Sequence, residues 1–269
     1  MDYKALVMDI DGTLYNSKKK ITAATRQAIF KAREAGKIIV IASGRPLPGI
    51  RDVCETLCFT EKGGYVMGYN GGRIVNAQTG ETISEITLPQ DIVPRIAALA
   101  AAYGVPVVGH DPDILVTESP EDEIIQYEAR LNHMPVAKIP SLADYHAHSL
   151  YKCIITGSAE KLAELEQIAA KEFEGQLSVY RSEPYFLEIL PLGINKASAI
   201  DVLASHLHMT KDDFIACGDG FNDLTMIRHA GLGVAMANAQ QIVRESADYV
   251  TDSCDEDGLV PVIEKFLIA

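Results

Sequence analysis

At 269 residues the chain is long enough for one large domain or two ordinary ones. With 48% hydrophobic and 23% charged residues it has the composition of a globular protein with a core, and no apolar run approaches bilayer-spanning length. A formal charge of −13 argues against a broad nucleic-acid footprint and against docking on an anionic membrane. It also sets a condition: an anionic ligand needs a positive site built locally inside a negative protein.

The first predicted element is the apolar strand in "KALVMD", which runs directly into "IDGT". Asp9 and Asp11 thus stand where a buried strand ends, a costly place for two carboxylates unless something compensates them. Either the pair is an acidic turn, or it holds a cation and does chemistry. The next stretch, "TAATRQAIFKAREAG", predicts a helix with Thr22 as N-cap and Gly36 as its stop. Ala24, Ala28, Ile29 and Ala32 are expected to share its buried face. "KIIVIAS" then reads as a second buried parallel strand, and strand, helix, strand with short links gives a right-handed βαβ unit. It ends in "SGRP", where Ser43 and the Gly44 N–H, ahead of a helix predicted near Pro46, offer donors to an anion. Arg45 is expected in an ion pair.

From about residue 84 the pattern changes. A helix in "PQDIVPRIAALAAAYG" precedes strands in "VPVVG" and "DILVTE", a second helix, and a strand in "SLYKCIIT". A third helix, "SAEKLAELEQIAAKEFEG", repeats Leu162, Leu165, Ile168, Ala169 and Phe173 at amphipathic spacing. Strands in "LSVYRS" and "YFLEIL" close the segment. Hairpin-like strand pairs joined by helices predict an α+β insert with an antiparallel sheet and helices on one face. After "PLGINK" the alternation of strand and helix returns in "DFIACGD" and "GLGVAM". The expected architecture is an α/β core with a doubly wound parallel sheet, residues 1–83 and 190–269, interrupted by a second domain over 84–189.

In such sheets ligands bind at the carboxyl ends of the strands. Four unusual stretches sit there or beside it: "DIDGTL", "ASGRP", "LGINKASAI" and "GDGFNDLTM". Taken as one site, Asp9, Asp11, Asp219 and Asp223 supply the oxygen donors that suit a hard cation such as Mg2+. Lys196 adds a point charge and Asn222 an amide donor. Carboxylates alone would repel an anion, whereas carboxylates with Mg2+ and Lys196 bind a phosphate. Of the leading pair, one carboxylate can attack phosphorus while the other moves the proton of the leaving alcohol and then of water. Gly12 allows the sharp turn that brings main-chain N–H groups to the phosphoryl oxygens.

The set "DIDGTL", "SGR", Lys196 and "GDGFND" resembles the four motifs of the haloacid dehalogenase-like (HAD) superfamily, over the whole core. The placement of the insert is similar to the type-IIB cap of the Cof-type phosphatases. The resemblance implies a Rossmann-like HAD core and a Mg2+-dependent phosphatase that hydrolyses small phosphorylated metabolites through an aspartyl-phosphate. It implies Asp9 as nucleophile and Mg2+ ligand, and Asp11 as general acid/base that ligates the metal through its carbonyl. Asp219 is then the third protein ligand and Asp223 an accessory or outer acid. Ser43, Gly44, Lys196, Asn222 and the backbone at Ile10 hold the phosphate. Ser43 stands where most relatives place Thr, and Phe221 where they often carry a polar residue. Asn70–Gly71 in "GYNGG" matches a family turn near the cap junction, without an assigned role.

Two other functions remain open at this point. A phosphosugar mutase would need a cluster of cap cations to hold a second phosphate, and residues 84–189 offer only scattered Arg95, Arg130 and Arg181 besides helix-face lysines. A phosphate-ligand sensor would need no acid beside Asp9. Tyr180, Arg181 and "SEPYFLEI" are expected to face the leaving group. His146/His148 and His206/His208 have HxH spacing but no clear strand to carry it, so no metal is expected there. Five scattered cysteines without CxxC spacing, and an N-terminus lacking the pattern of a secretory signal, predict reduced thiols in a cytoplasm.

Overall fold

Ala5, Leu6, Val7 and Met8 have no exposed surface, and they form β1 (Ala5–Met8) at the centre of a parallel sheet. The computed structural model describes residues 3–268. The chain divides into two compact units. One runs to Arg45 and takes in Ile50–Glu85 and everything from Asn195; the other comprises Pro46–Gly49 and Ile86–Ile194.

The first unit contains β1, β2 (Ile38–Ala42), β3 (Tyr65–Gly68), β4 (Arg73–Asn76) and β5 (Thr82–Glu85). The second contains β6 (Val107–His110), β7 (Leu115–Thr117), β8 (Val136–Lys138), β9 (Lys152–Thr156), β10 (Leu177–Glu183) and β11 (Phe186–Pro191). The chain then returns to the first unit with β12 (Phe214–Gly218), β13 (Leu232–Ala235) and β14 (Tyr249–Val250).

The sheet of the first unit has the order β14-β13-β12-β1-β2-β3-β4-β5. It is parallel from β14 to β3 and antiparallel from β3 to β5. Ala5 and Val7, Val40 and Ala42, and Phe214 and Ala216 line one face and pack with Ala199, Ile200 and Leu203 of the helix Lys196–His206. Burying each such larger side chain contributes roughly 1.5–3 kcal/mol. That packing fixes the helix that carries Lys196 against the strands that carry the acids. The alternate residues Leu6, Met8, Ile39, Ile41, Ile215 and Cys217 are buried as well, so both faces are covered, as in a doubly wound sheet.

The helix predicted after β1 spans Ala23–Glu34, and Thr22 caps it by accepting from the Thr25 N–H at 3.1 Å. Its buried face is Thr25, Ala28, Ile29 and Ala32; Ala24 is exposed, because the helix is rotated so that Thr25 reaches Asp257.

The second unit forms a sheet of order β10-β11-β9-β6-β7-β8, antiparallel except for the β7–β8 pair. Its helices do not all lie on one face. Helices Val93–Ala102 and Ala159–Glu172 cover the side of Val107, Cys153, Ile155 and Leu187. Helix Glu123–Leu131 packs instead on Val108, Leu115, Ile154 and Phe186. Successive strand residues point to opposite faces, and both sets are apolar here, so both sides need a cover. Among the described residues, no helix is long and apolar enough to cross a membrane.

Candidate active site

β1 leads directly into Asp9, whose N–H donates to the Cys217 carbonyl of neighbouring β12 at 3.0 Å. This ties the first motif to the strand that leads into Asp219. Helix Lys196–His206 begins beside them. Asn195 caps it through Oδ1, which accepts from the N–H groups of Ala197 and Ser198, so Lys196 is the first residue of the first turn. A cation there opposes the helix dipole. It is tolerated because Lys196, fully buried, places Nζ 2.5 Å from Asp9 Oδ1 and 2.5 Å from Asp223 Oδ1.

Asp223 uses its other oxygen as well: Oδ2 accepts from the N–H groups of Asp219 at 3.0 Å and Gly220 at 2.9 Å. Asp219 Oδ1 accepts from Thr13 Oγ1 at 2.7 Å. Gly12 makes this approach possible. Its φ is +83°, and a Cβ there would stand 2.3 Å from Asp219 Oδ2. Asp9, Asp219 and Asp223 each offer an oxygen within 4.8 Å of the others.

Asp9 and Asp219 are both pushed above the ordinary carboxylate range. Burial, then the Asp223 charge, pushes Asp9 up to about 7 against the pull of Lys196. Burial also pushes Asp219 up to about 6, opposed by the Thr13 hydrogen bond. Burial pulls Lys196 down, but the charges of Asp223 and Asp9 outweigh it and hold the ammonium above its ordinary value. Three carboxylates around one ammonium leave two formal negative charges in a poorly solvated cluster.

Asp11 lies outside that cluster. Arg45 grips it bidentately, Nε to Oδ2 and Nη2 to Oδ1, both at 2.9 Å, and Lys19 Nζ reaches Oδ1 at 2.6 Å. The ion pair expected for Arg45 is therefore with the second motif aspartate itself. Ser43 is buried, and its Oγ accepts from the Arg45 N–H at 3.2 Å. Asn222 Nδ2 donates to Asn70 Oδ1 at 3.2 Å, and the Asn70 N–H donates to the Ser43 carbonyl at 2.8 Å. The structure thus brings Asp9, Asp223 and Lys196 into direct contact with Asp219 beside them, and links Ser43–Gly44 to Asn222 through Asn70. Ile10 is wholly buried, and its carbonyl accepts from Tyr15.

Thr13, Lys19 and Asn238 escaped the sequence, and Asn70 was marked there only as part of a family turn without a role. Thr13 follows Gly12 directly, and Lys19 belongs to a run of lysines that looks like a solvated surface. Asn70 sits in a turn of three successive positive φ angles, 53° at Tyr69, 55° at Asn70 and 102° at Gly71. For a buried non-glycine residue such as Tyr69 this costs on the order of 1–3 kcal/mol. Asn238 Nδ2 supports the first motif by donating to the Gly12 carbonyl at 2.8 Å. Of the histidines with HxH spacing, His148 Nδ1 meets Asp111 Oδ2 at 2.7 Å within the second unit, and His206 packs edge-on against Tyr65 within the first. In the second unit, Arg181 is held by Glu166, with Nε 2.9 Å from Oε2.

The profile of haloacid dehalogenase-like hydrolases matches residues 6–263. Bacillus subtilis YxeH, which bears a provisional phosphatase name, is 32% identical over 270 residues, covering 99% of each chain. A solved haloacid dehalogenase-like hydrolase from Bacteroides thetaiotaomicron is 42% identical with a TM-score of 0.91, covering 98% of this chain and 99% of that one. A solved sugar phosphatase of HAD subclass IIB is 27% identical with a TM-score of 0.80, covering 97% and 98%. The chain belongs to the haloacid dehalogenase-like hydrolases, as an enzyme of their phosphatase type.

Proposed function

We propose that this chain is a Mg2+-dependent phosphatase of small phosphorylated metabolites, sugar phosphates or related phosphomonoesters, acting through an aspartyl-phosphate on Asp9. The observation that carries this reading is the acid cluster at the end of β1, where Asp9, Asp219 and Asp223 each offer an oxygen within 4.8 Å of the others and Lys196 bridges Asp9 and Asp223. An all-oxygen donor set that carries two excess negative charges once Asp9 and Asp219 are ionised fits a hard divalent cation. Asp9 and Asp219 would hold it, with Asp11 contributing its main-chain carbonyl. Each Asp223 oxygen already accepts from protein donors, so its part is to hold Lys196 and the Asp219 loop. Bound there, the cation would supply the positive field that draws phosphoryl oxygens toward an otherwise repellent acid cluster.

The protein's own steps follow. The Asp9 carboxylate attacks phosphorus in line; the bond to the leaving oxygen breaks, and the Asp11 carboxyl gives that oxygen its proton. The Asp11 carboxylate then takes a proton from water as the water attacks phosphorus and releases Asp9. Asp11 enters this cycle from its ion pair with Arg45 and Lys19, so its acid duty requires release from them. Ser43 Oγ, the N–H groups of Gly44 and Ile10, and Asn222 Nδ2 are assigned to the non-bridging oxygens, and Lys196 offsets their charge.

We assign the unit of Ile86–Ile194 the part of a cap that selects substrate and excludes water. In it, Arg95 is engaged by Glu172 and Gln176, and Arg181 by Glu166, which takes two of its three arginines out of a second phosphate site and favours hydrolase over mutase. A cytoplasmic location suits substrates of this kind. The test is phosphate release from a panel of small phosphomonoesters with Mg2+ or with EDTA. Release only with the metal is expected; undiminished release by Asp9→Asn overturns the assignment.

A further inference from the structure

Resting on the phosphate-binding roles given to Gly44 and Asn222, we propose that Asn70 is a positioning residue for the transferred phosphoryl group, clamping both donors in one arrangement. The turn that carries it, Tyr69–Asn70–Gly71, keeps positive φ throughout, and such a run persists only where its surroundings enforce it. Those surroundings are three separate pieces of the site. The Tyr69 N–H donates to the Arg45 carbonyl at 2.9 Å, and the Asn70 N–H to the Ser43 carbonyl at 2.8 Å. Asn70 Oδ1 accepts from Asn222 Nδ2 at 3.2 Å. Gly71 backs onto the helix of Lys196, where a Cβ would come within 2.5 Å of the Ala199 Cβ. One turn therefore touches the strand end of Ser43, the loop of Asn222 and the helix of Lys196.

The carboxamide of Asn70 acts in two directions. Asn222 Nδ2 carries two hydrogens; engaging one on Asn70 Oδ1 fixes the plane of the amide and leaves the other for a phosphoryl oxygen. The same carboxamide lies against the Gly44 main chain, 3.3 Å from where a Cβ of residue 44 would stand. Without it, Asn222 rotates and the Gly44 loop loosens, and both must be ordered again when phosphate binds. The loss falls on binding rather than on the chemical step, because non-bridging oxygens are present in the ground state as well as the transition state.

Asn70→Gly separates the two roles of this position, since glycine adopts the left-handed backbone freely and has no carboxamide. The measurement is KM and kcat for p-nitrophenyl phosphate with Mg2+, competitive inhibition by inorganic phosphate, and Tm. In Asn70→Gly, KM and the phosphate inhibition constant are expected to rise about tenfold, with kcat changed less than about threefold and Tm within a few degrees of wild type. Asn222→Ala should do the same, and the double variant should fall short of the product of the two losses, because part of what Asn70 does runs through Asn222. An unchanged phosphate constant in Asn70→Gly, or losses that multiply, overturns the clamp while leaving an active wild type in place. A wild type that neither hydrolyses the ester nor binds phosphate overturns the underlying reading and the clamp together.

Discussion

Two buried lysines, one in each unit, differ in what surrounds them. Lys196 bridges Asp9 and Asp223, with Asp219 close by, at the carboxyl ends of parallel strands. Lys152 on β9 pairs with Glu188 Oε2 at 3.1 Å across the antiparallel sheet, with Glu128 adding a second negative charge. Burial holds the neighbouring His110 well below its ordinary value, so it stays neutral 3.3 Å from Glu128. Both lysines remain above their ordinary value, because adjacent carboxylates outweigh burial. Buried charge is therefore not what marks the site. Both clusters hold more carboxylate than their lysine balances, three acids around Lys196 and two around Lys152; what sets the cluster of Lys196 apart is the glycine turn and the donors suited to an anion beside it.

The largest expected effect is Asp9→Asn, which should lower kcat by at least ~10^4-fold. Its metal-free Tm should stay within a few degrees of wild type, because an amide replaces a carboxyl that burial already holds toward its neutral form. Steady-state assays and thermal melts check both.

Next come Lys196→Met and Lys152→Met. Each strips the counter-charge from buried acids and should cost about 3–5 kcal/mol at neutral pH in urea titrations. At a temperature where both remain folded, Lys196→Met should lose ~10^2–10^3-fold in kcat/KM and Lys152→Met less than about threefold in kcat. Equal losses of activity would mean that burial of charge, not its placement, is what function needs.

The pH dependence is smaller. Asp9 at about 7 and Asp219 at about 6 both lie above the unfolded value of 3.8. The folded metal-free protein thus keeps protons that the unfolded chain releases between about pH 4 and 7, and this contribution lowers stability as pH rises through that window, then levels off. The difference in Tm between wild type and Asp9→Asn, followed from pH 5 to 8 without metal, should shift against wild type. Because Mg2+ must displace those protons, its half-saturation concentration should rise by up to about tenfold per pH unit and proton below about pH 6. The smallest effect expected is that of Thr13→Val, which removes one hydrogen bond to Asp219 and should weaken Mg2+ half-saturation about fivefold.

The central strands and the motif acids were legible in the sequence, because β1, β2 and β12 are uninterrupted apolar runs that stop at Asp9, Ser43 and Asp219. Their meeting with Lys196, almost two hundred residues away, followed from the rule that ligands gather at strand carboxyl ends. Less visible were contacts made by residues of ordinary appearance. Lys19 looks like one of three surface lysines, and nothing in its spacing announces Asp11. The role of Asn70 depends on a backbone conformation that single residues do not declare. The face taken by helix Glu123–Leu131 is not legible in the sequence, because both sides of the second sheet are apolar, which leaves period-two alternation silent.

The central claim is that Asp9 accepts the phosphoryl group. Its most direct test is borohydride reduction of the Asp11→Asn variant during reaction with p-nitrophenyl phosphate, a substrate whose leaving group needs little protonation, followed by peptide mass spectrometry. The account predicts Mg2+-dependent conversion of residue 9 to homoserine, the product of reducing an acyl phosphate. Nitrophenol release without that conversion, or with reduction at another acid, would contradict it.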